Sequence, residues 1–336
     1  MKKTLIALAV LATSGASIAQ VAITGAVAMG YQADTTAAGV ATGGFGVDTT
    51  ALTFTATEDI GGGLKAAASL GFDGMNRKAV GGADTSMSLT GGFGRIGFAT
   101  ARGSDYLSGG VAGVAGIGFD GKLFSGLVAA DSISYALPAF GPVTVSFAHD
   151  EVNVNEATST AADNTTADIG LGLGGAAATS GVNTKYQRRN GVGIAYSAGA
   201  LKANAAYQVY DRTETALNSA KNNVNRVRAS VSYDLGAAVI GAGFDQRQLN
   251  TGTRMDTLVG LSVPMGALSF GVQMGQRTVA DATSSNGTQT GTGLKAAYAL
   301  SKRTNLSYTY VKYDEKVLTA STVATTYQAV LLAHSF

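Results

Sequence analysis

The side chains that most often perform enzymatic chemistry are sparse in this chain. It contains two histidines, His149 and His334, and no cysteine. His149 ends the segment 142–149 beside a long polar connection, and His334 follows the apolar alternation of the C-terminal segment. A nucleophile and a base must lie within reach of each other, whereas neighbouring acids such as Asp150 and Glu151 point to opposite faces of a strand. The sequence therefore predicts a protein that is not an enzyme and that needs no cofactor.

Two patterns suggest ligand binding, but neither has the context that such a site needs. Residues 92–97 match G-x-G-x-x-G, yet a dinucleotide site needs a helix to begin there, so that its N-terminus can hold pyrophosphate. Here Ile96 and Phe98 continue a strand, and a chain with 46 glycines is expected to match by chance. A loop cation site is a second hypothesis, for which solvated loop charge is the simpler interpretation. Its acids are Asp150, Glu151, Glu156, Asp163 and Asp168.

Hydrophobicity alternates with a period of two through most of the chain, which predicts β-strands. The stretch RVRASVSYD at 226–234 places valine, alanine, valine and tyrosine on one face and arginine, serine and aspartate on the other. Residues 257–276 carry no charge, but Pro-Met-Gly at 264–266 divides them and the period of two continues on both sides. Two strands joined by a tight turn fit this segment better than a membrane-spanning helix.

The predicted strands are joined by connections of unequal length. Short connections lie near 59–62, 92–94, 138–142, 198–200, 235–237, 264–266 and 300–304. Long ones lie near 34–44, 74–84, 103–130, 151–184, 213–223, 279–289 and 315–325, with a medium one at 249–253. Counting the segments between them predicts sixteen strands, from 21–33 to 326–336. The predicted fold is all-β: a transmembrane 16-stranded antiparallel β-barrel with short periplasmic turns and long external loops.

A barrel of this size has a lumen too wide for side chains to fill, so its polar face is predicted to line a wet pore. A soluble sandwich would instead place these charges in solvent, but the turn asymmetry and the export signal described below favour the membrane. Basic residues outnumber acidic ones on this face, which predicts a mild anion preference. The predicted pore-wall bases are Lys65, Arg102, Lys185, Arg189, Lys202, Arg226, Arg228, Arg247, Arg277 and Lys295, and the acids are Asp73, Asp150, Asp234, Asp245 and Asp256.

Residues 1–19 have the features of an export signal: two lysines, an uncharged run at 4–12, and small residues that end at Ala19. The apolar run is too short to span a bilayer, which takes about 20 residues. We expect cleavage after Ala19, leaving 20–336 as the barrel. The chain has 24 basic and 22 acidic residues. Because Lys2 and Lys3 leave with the signal, which holds no acid, the mature chain carries 22 of each and gives no reason to expect a nucleic-acid partner.

Several segments resemble the general, non-specific trimeric porins of Gram-negative outer membranes. Residues 330–336 end in Phe336 after alternating apolar residues, like the family's last strand, whose terminal Phe is an assembly signal read by the barrel-insertion machinery. The stretch YALSKRTNL at 298–306 resembles the turn before the family's fifteenth strand, and TEDIGGGLK at 57–65 resembles its second turn. DSISY at 131–135, followed by Pro138 and by Phe140-Gly141, resembles the strand after the third loop.

The resemblance implies a homotrimer whose water-filled channels pass ions and small hydrophilic solutes by passive diffusion. It also implies contact with lipid, lipopolysaccharide and the insertion machinery. The family's third external loop folds into the barrel and constricts it; by order this loop is 103–130, which carries Asp105, Asp120 and Lys122. In the family, acids on this loop face bases on the opposite wall, which implies a transverse electric field across the constriction. The family carries wall arginines where this chain has Ser134 and Thr100, although Arg102 is placed to substitute for the second. The resemblance therefore implies a field that is weaker or differently placed in this chain.

Two other hypotheses remain open at the level of sequence. One is a substrate-selective channel on the same barrel, and the other is a structural or adhesive surface barrel that does not conduct.

Overall fold

The computed structural model describes residues 20–35, 39–74, 81–102, 107–119, 121–124, 129–154, 185–210, 223–281, 286–316 and 322–336. These residues form sixteen strands, as predicted. They are β1 (Gln20–Thr35), β2 (Ala41–Gly61), β3 (Leu64–Asp73), β4 (Gly81–Gly91), β5 (Gly94–Arg102), β6 (Ala129–Ala136), β7 (Val143–Val154), β8 (Lys185–Ala198), β9 (Leu201–Tyr210), β10 (Asn223–Asp234), β11 (Val239–Leu249), β12 (Gly252–Met265), β13 (Leu268–Asp281), β14 (Gly287–Ala299), β15 (Thr304–Lys316) and β16 (Thr322–Ser335). Among the described residues, no helix is long and apolar enough to cross a membrane.

The strands close into one antiparallel barrel because β1 pairs with β2 on one side and with β16 on the other. Beyond the end of β16, the Gly25 N–H donates to the Phe336 carbonyl at 2.9 Å, and the Phe336 N–H donates to the Gly25 carbonyl at 3.0 Å. Closure gives every strand two hydrogen-bonded neighbours, which is what a spanning sheet needs in lipid. The last residue of the chain therefore completes the seam.

Large apolar side chains cover the outer surface of the barrel. Leu70, Met87, Phe98, Val259 and Met274 are each between 53% and 63% exposed in the isolated chain. They alternate along their strands with polar or small residues that face inward, because successive side chains of a strand point to opposite faces. The outer surface is thus apolar and the inner surface polar, the inverse of a soluble sandwich.

The two ends of the barrel differ in the length of their connections, although less than the sequence predicted. At one end, connections of two to six residues join β2 to β3, β4 to β5 and so on to β14 and β15. The predicted turn at 264–266 lies between β12 and β13, where Gly266 has a φ of 66° that favours glycine. At the other end the strands extend further than the sequence predicted, so the medium connection expected at 249–253 is only two residues long. The long connections expected at 34–44, 279–289 and 315–325 are five residues each for the same reason, whereas those after β5, β7 and β9 are long as predicted. Strand pairing continues there because each added residue satisfies its backbone groups on a neighbour.

The third long connection, between β5 and β6, packs inside the barrel. Residues 107–119 and 121–124, here called the inner segment, lie against the pore-facing side of β11–β15. Their apolar side chains form a buried cluster with two wall residues. The cluster comprises Leu107, Ala112, Ala115, Ile117, Phe119, Leu123 and Phe124 with Leu258 and Val311. The apolar core of this protein therefore lies in the lumen and is built around a loop.

Candidate functional site in the pore

A cluster of seven charged side chains lines the lumen on β10–β13, and we call it the arginine ladder. It consists of Arg226, Arg228, Asp245, Arg247, Arg254, Asp256 and Arg277. Strand register arranges these residues in two rows. Arg226, Arg247 and Arg254 are directly opposite one another in one row, and Arg228, Asp245, Asp256 and Arg277 form the row below. All seven share the pore face because the register keeps the side-chain alternation in phase across the four strands.

Asp245 is the centre of the first half of the ladder. Arg226 binds it with two nitrogens: Nε donates to Oδ1 at 2.7 Å, and Nη2 donates to Oδ2. Arg228 Nε donates to Oδ2 at 3.2 Å, and Arg247 Nε lies 3.6 Å from Oδ1, beyond hydrogen-bond length. The Asp245 side chain is only 4% exposed. One buried carboxylate thus faces three guanidinium groups.

Asp256 is the carboxylate at the centre of the second half of the ladder, where it binds two arginines. Arg277 binds it through Nε, at 2.7 Å from Oδ1, and through Nη2, at 3.2 Å from Oδ2. Arg254 Nη2 donates to Oδ2 at 2.8 Å. Arg277 also lies over the Phe124 ring of the inner segment, 5.9 Å from its centroid. The ladder therefore borders the inner segment on its external side.

The ladder carries five positive and two negative charges, a net charge of +3. Like charges directly opposite one another on neighbouring strands are destabilising, and the row of three arginines is such an arrangement. The two aspartates offset only part of this repulsion. Arg228, Arg247 and Arg254 keep 16% to 18% of their side chains exposed, so the excess positive charge faces the lumen.

The other predicted wall charges are distributed more thinly. Arg189 is paired with Asp150 at 2.6 Å, so this site is neutral. Lys65 and Lys202 lie near the short-turn end, in register with Asp59 and Ser232. Lys295 donates from Nζ to the Gly116 carbonyl at 2.9 Å and so binds the inner segment. Lys185 begins β8 and Arg102 ends β5, and their side chains lie outside what the structure describes.

The three charged residues predicted for the third loop have different outcomes. Lys122 places Nζ 4.4 Å from the ring centroid of Tyr327 on β16. Asp105 and Asp120 lie outside the described residues. The field predicted between loop acids and wall bases therefore stays a prediction.

Histidine and carboxylate groups outside the ladder occupy ordinary polar contacts. His149 Nδ1 is 2.8 Å from Asn190 Oδ1, and His334 Nδ1 is 2.9 Å from Thr304 Oγ1; both pairs are exposed. Of the acids considered for a loop cation, Asp150 and Glu151 bind arginines, and the other three lie outside the described residues. Within the described ranges, no group of three or more His, Asp or Glu residues is placed to hold a metal ion.

A barrel of this topology, with a charged lumen and a connection packed inside it, invites comparison with known channels. The family model of Gram-negative porins matches residues 4–317. The chain belongs to the Gram-negative porin family. This porin is therefore an outer-membrane channel, and family and fold indicate a channel rather than an enzyme.

Solved structures share the fold of this porin at low sequence identity. The anion-selective porin from Comamonas acidovorans is 19% identical, with a TM-score of 0.66 over 95% of this chain and 100% of its own. OmpT of Vibrio cholerae in its trimer form is 11% identical, with a TM-score of 0.61 over 95% of this chain and 99% of its own. A mutant porin of Rh. blastica is 12% identical, with a TM-score of 0.59 over 94% and 100%. A search of curated proteins found no match.

Two residues of the pore were missed by sequence reasoning. Arg254 shares the parity of Asp256, but it follows the stretch interpreted as a medium connection. Gln273 is fully buried and donates from Nε2 to the Ile117 carbonyl at 2.6 Å. It is a polar residue in the uncharged stretch 257–276, and it alternates with the outward-facing Val272 and Met274. This alternation could have identified Gln273 as a pore-facing residue.

One departure from the family pattern has no bearing on the pore. Thr100 donates to Asp131 Oδ1 at 2.6 Å, and it shares the outward parity of the exposed Phe98. An arginine missing from this position therefore removes no charge from the lumen. Ser134, in contrast, is on the pore face, where its hydroxyl donates to the Gly97 carbonyl at 3.5 Å.

Proposed function

We propose that this porin passes small hydrophilic solutes by passive diffusion with a mild preference for anions, and that the arginine ladder produces this preference. The observation that carries the proposal is the net charge of +3 on one face of the lumen. A wall of one sign raises the local concentration of oppositely charged ions and lowers that of like-charged ions. The Comamonas protein described as anion-selective supports only the fold, so the proposal rests on the ladder.

Reversal-potential measurements across a planar bilayer test this function. With a tenfold KCl gradient, we expect the sign that corresponds to chloride passing faster than potassium. The preference should be larger near 0.1 M than near 1 M salt, because the Debye length falls from about 10 Å to about 3 Å. Cation-selective currents would contradict the anion preference, and a silent membrane would favour the structural or adhesive alternative.

The third connection, 103–130, is proposed to form the constriction. Its inner segment packs against the wall of β11–β15, which supports this role. Asp105, Asp120 and Lys122 are proposed to supply its charges. We also propose that the channel is a homotrimer in contact with lipid and lipopolysaccharide, inserted by machinery that reads Phe336. Conductance steps grouped in threes in the same recordings are expected for a trimer.

Export is proposed to require residues 1–19, which are removed before the barrel forms. Their composition supports this proposal: two lysines, an uncharged apolar run and a small residue at the cut. N-terminal sequencing of the protein extracted from outer membranes is expected to begin at Gln20. A sequence that begins at Met1 would contradict it.

A substrate-selective channel is the second candidate, and the row of three arginines favours it. Arg226, Arg247 and Arg254 oppose one another without a carboxylate in their row, and the Nε of Arg247 is buried without a hydrogen-bond partner in the structure. Guanidinium groups bind oxyanions through paired hydrogen bonds. Conductance that falls saturably as inorganic phosphate is added to chloride would indicate such a site, whereas a linear change would indicate free diffusion.

A further inference from the structure

Seven glycines on the pore face of β11–β14 lie beneath the inner segment, and we call them the glycine lane. They are Gly241, Gly243, Gly260, Gly271, Gly275, Gly291 and Gly293. In each, an added Cβ would contact an atom of the inner segment within 3.3 Å. These glycines have ordinary extended backbones, so their conformation does not explain the absence of a side chain. The space that a Cβ would occupy is taken by the loop.

At two positions the obstacle is the backbone of the inner segment. A Cβ on Gly241 would lie 2.3 Å from the Ala112 carbonyl oxygen, and one on Gly271 would lie 2.6 Å from the Ala115 carbonyl oxygen. A nonbonded carbon normally stays about 3.5–4.0 Å from its neighbours. A side chain here would therefore move the segment by about 1 Å or more toward the lumen.

At two further positions the obstacle is an apolar side chain. A Cβ on Gly275 would lie 2.8 Å from Phe119 Cε2, and one on Gly293 would lie 2.7 Å from Ile117 Cγ2. Phe119 and Ile117 are 0% and 1% exposed, so they have no free space to move into. Close packing of this kind transmits a wall substitution to the segment rather than absorbing it.

Polar contacts hold the same stretch against the wall. Gln273 donates to the Ile117 carbonyl at 2.6 Å and Lys295 donates to the Gly116 carbonyl at 2.9 Å. Each donor is two residues from a glycine of the lane on the same strand, so donors and glycines share the pore face. The side chains at these positions thus bind the segment, and the glycines between them let it approach the wall backbone.

We infer that the glycine lane sets the aperture of this porin by seating the inner segment directly on the wall backbone. Because glycine has no side chain, the segment lies close to the wall at these seven positions, which leaves more of the cross-section of the lumen to solutes. The inference rests on the proposed constriction by the third connection. Glycines that never touch a solute thus determine which solutes are small enough to pass.

The test compares single-channel conductance and the uptake of sugars of increasing size by liposomes. Gly271→Val and Gly293→Ala are each expected to lower conductance roughly 1.5-fold and to reduce the size limit, since the segment moves into the aperture. Gly46→Ala is the matched control, because Gly46 is a pore-facing glycine on β2 whose added Cβ would meet nothing within 4 Å. Heat-modifiable mobility on gels confirms that each barrel has folded.

A compensating pair distinguishes seating from general damage. Ile117→Ala removes the atoms at 2.7 and 3.3 Å from the Gly293 Cβ position and leaves Ile117 Cβ at 3.6 Å, an ordinary contact. The double variant Gly293→Ala/Ile117→Ala is therefore expected to regain most of the wild-type conductance. Unchanged or raised conductance in folded lane variants, or an equal loss in Gly46→Ala, would overturn the inference. A wild-type protein that does not conduct would instead refute the proposed function.

Discussion

Replacing Arg247 and Arg254 with glutamine is expected to remove most of the anion preference of this porin. The substitutions lower the ladder from +3 to +1. A unit charge about 8 Å from a permeating ion contributes about 0.5 kcal/mol in water, and screening near 0.1 M salt roughly halves this value. Two such charges stabilise chloride by about 0.5 kcal/mol and destabilise potassium by the same amount, so we expect the chloride-to-potassium ratio to fall roughly fivefold. The measurement is the reversal potential in a tenfold gradient at low salt, where screening is weakest.

The loss of these two arginines leaves each aspartate of the ladder with an arginine that binds it through two nitrogens. Asp245 keeps the bidentate contact from Arg226, and Asp256 keeps the contact from Arg277. Their removal also relieves the repulsion in the row of three arginines. The double variant should therefore fold and conduct.

Arg188→Gln is the control for a change in charge alone. Arg188 binds Glu151 at 3.0 Å, and its side chain is 57% exposed on the outer face of β8. Its removal should leave the reversal potential unchanged. A shift equal to that of the ladder variant would show that overall charge, rather than the charge of the lumen, determines the preference.

Asp245→Asn is expected to destabilise the barrel by about 3–5 kcal/mol, the usual cost of removing one partner from a buried ion pair. Asp245 is 3% exposed, and Arg226, Arg228 and Arg247 all direct their charge at it. The variant leaves these guanidinium groups to repel one another at close range. The loss of stability is measured as a lower denaturant midpoint of unfolding. Unfolding is followed by the loss of heat-modifiable mobility on gels.

Two further variants test whether the loss of stability comes from the ion pairs of the ladder rather than from the removal of any acidic residue. Asp48→Asn removes an acid that accepts two exposed hydrogen bonds, from Gln32 at 2.6 Å and from Thr49 at 2.9 Å, and pairs with no arginine or lysine in the described contacts. This variant should change stability by less than about 0.5 kcal/mol. Adding Arg226→Gln to Asp245→Asn should restore part of the loss, because the strongest unpaired charge is then absent. An Asp245→Asn barrel with the wild-type midpoint would show that the ladder does not stabilise the fold.

The strand count and the turns could be predicted from the sequence because they depend on local patterns. Alternation in a segment such as 226–234 predicts that strand without information from the rest of the chain, and Pro264 and Gly266 mark a turn within a few residues. Closure then follows from the demand of lipid for paired backbone groups. The strand ends toward the long loops were predicted less well, since pairing with a neighbour extends them beyond the apolar pattern.

The contacts of the pore could not be predicted in this way, because they join positions far apart in the chain. Asp245 and Asp256 were assigned to the pore face by parity, but only strand register places them among five arginines in two rows. Nothing in the sequence distinguishes glycines such as Gly271 and Gly293 from the others, because their role depends on contact with the inner segment. Alternation determined which face each residue occupies, whereas register and loop packing, which are properties of the closed barrel, decided which charges meet and where the channel narrows.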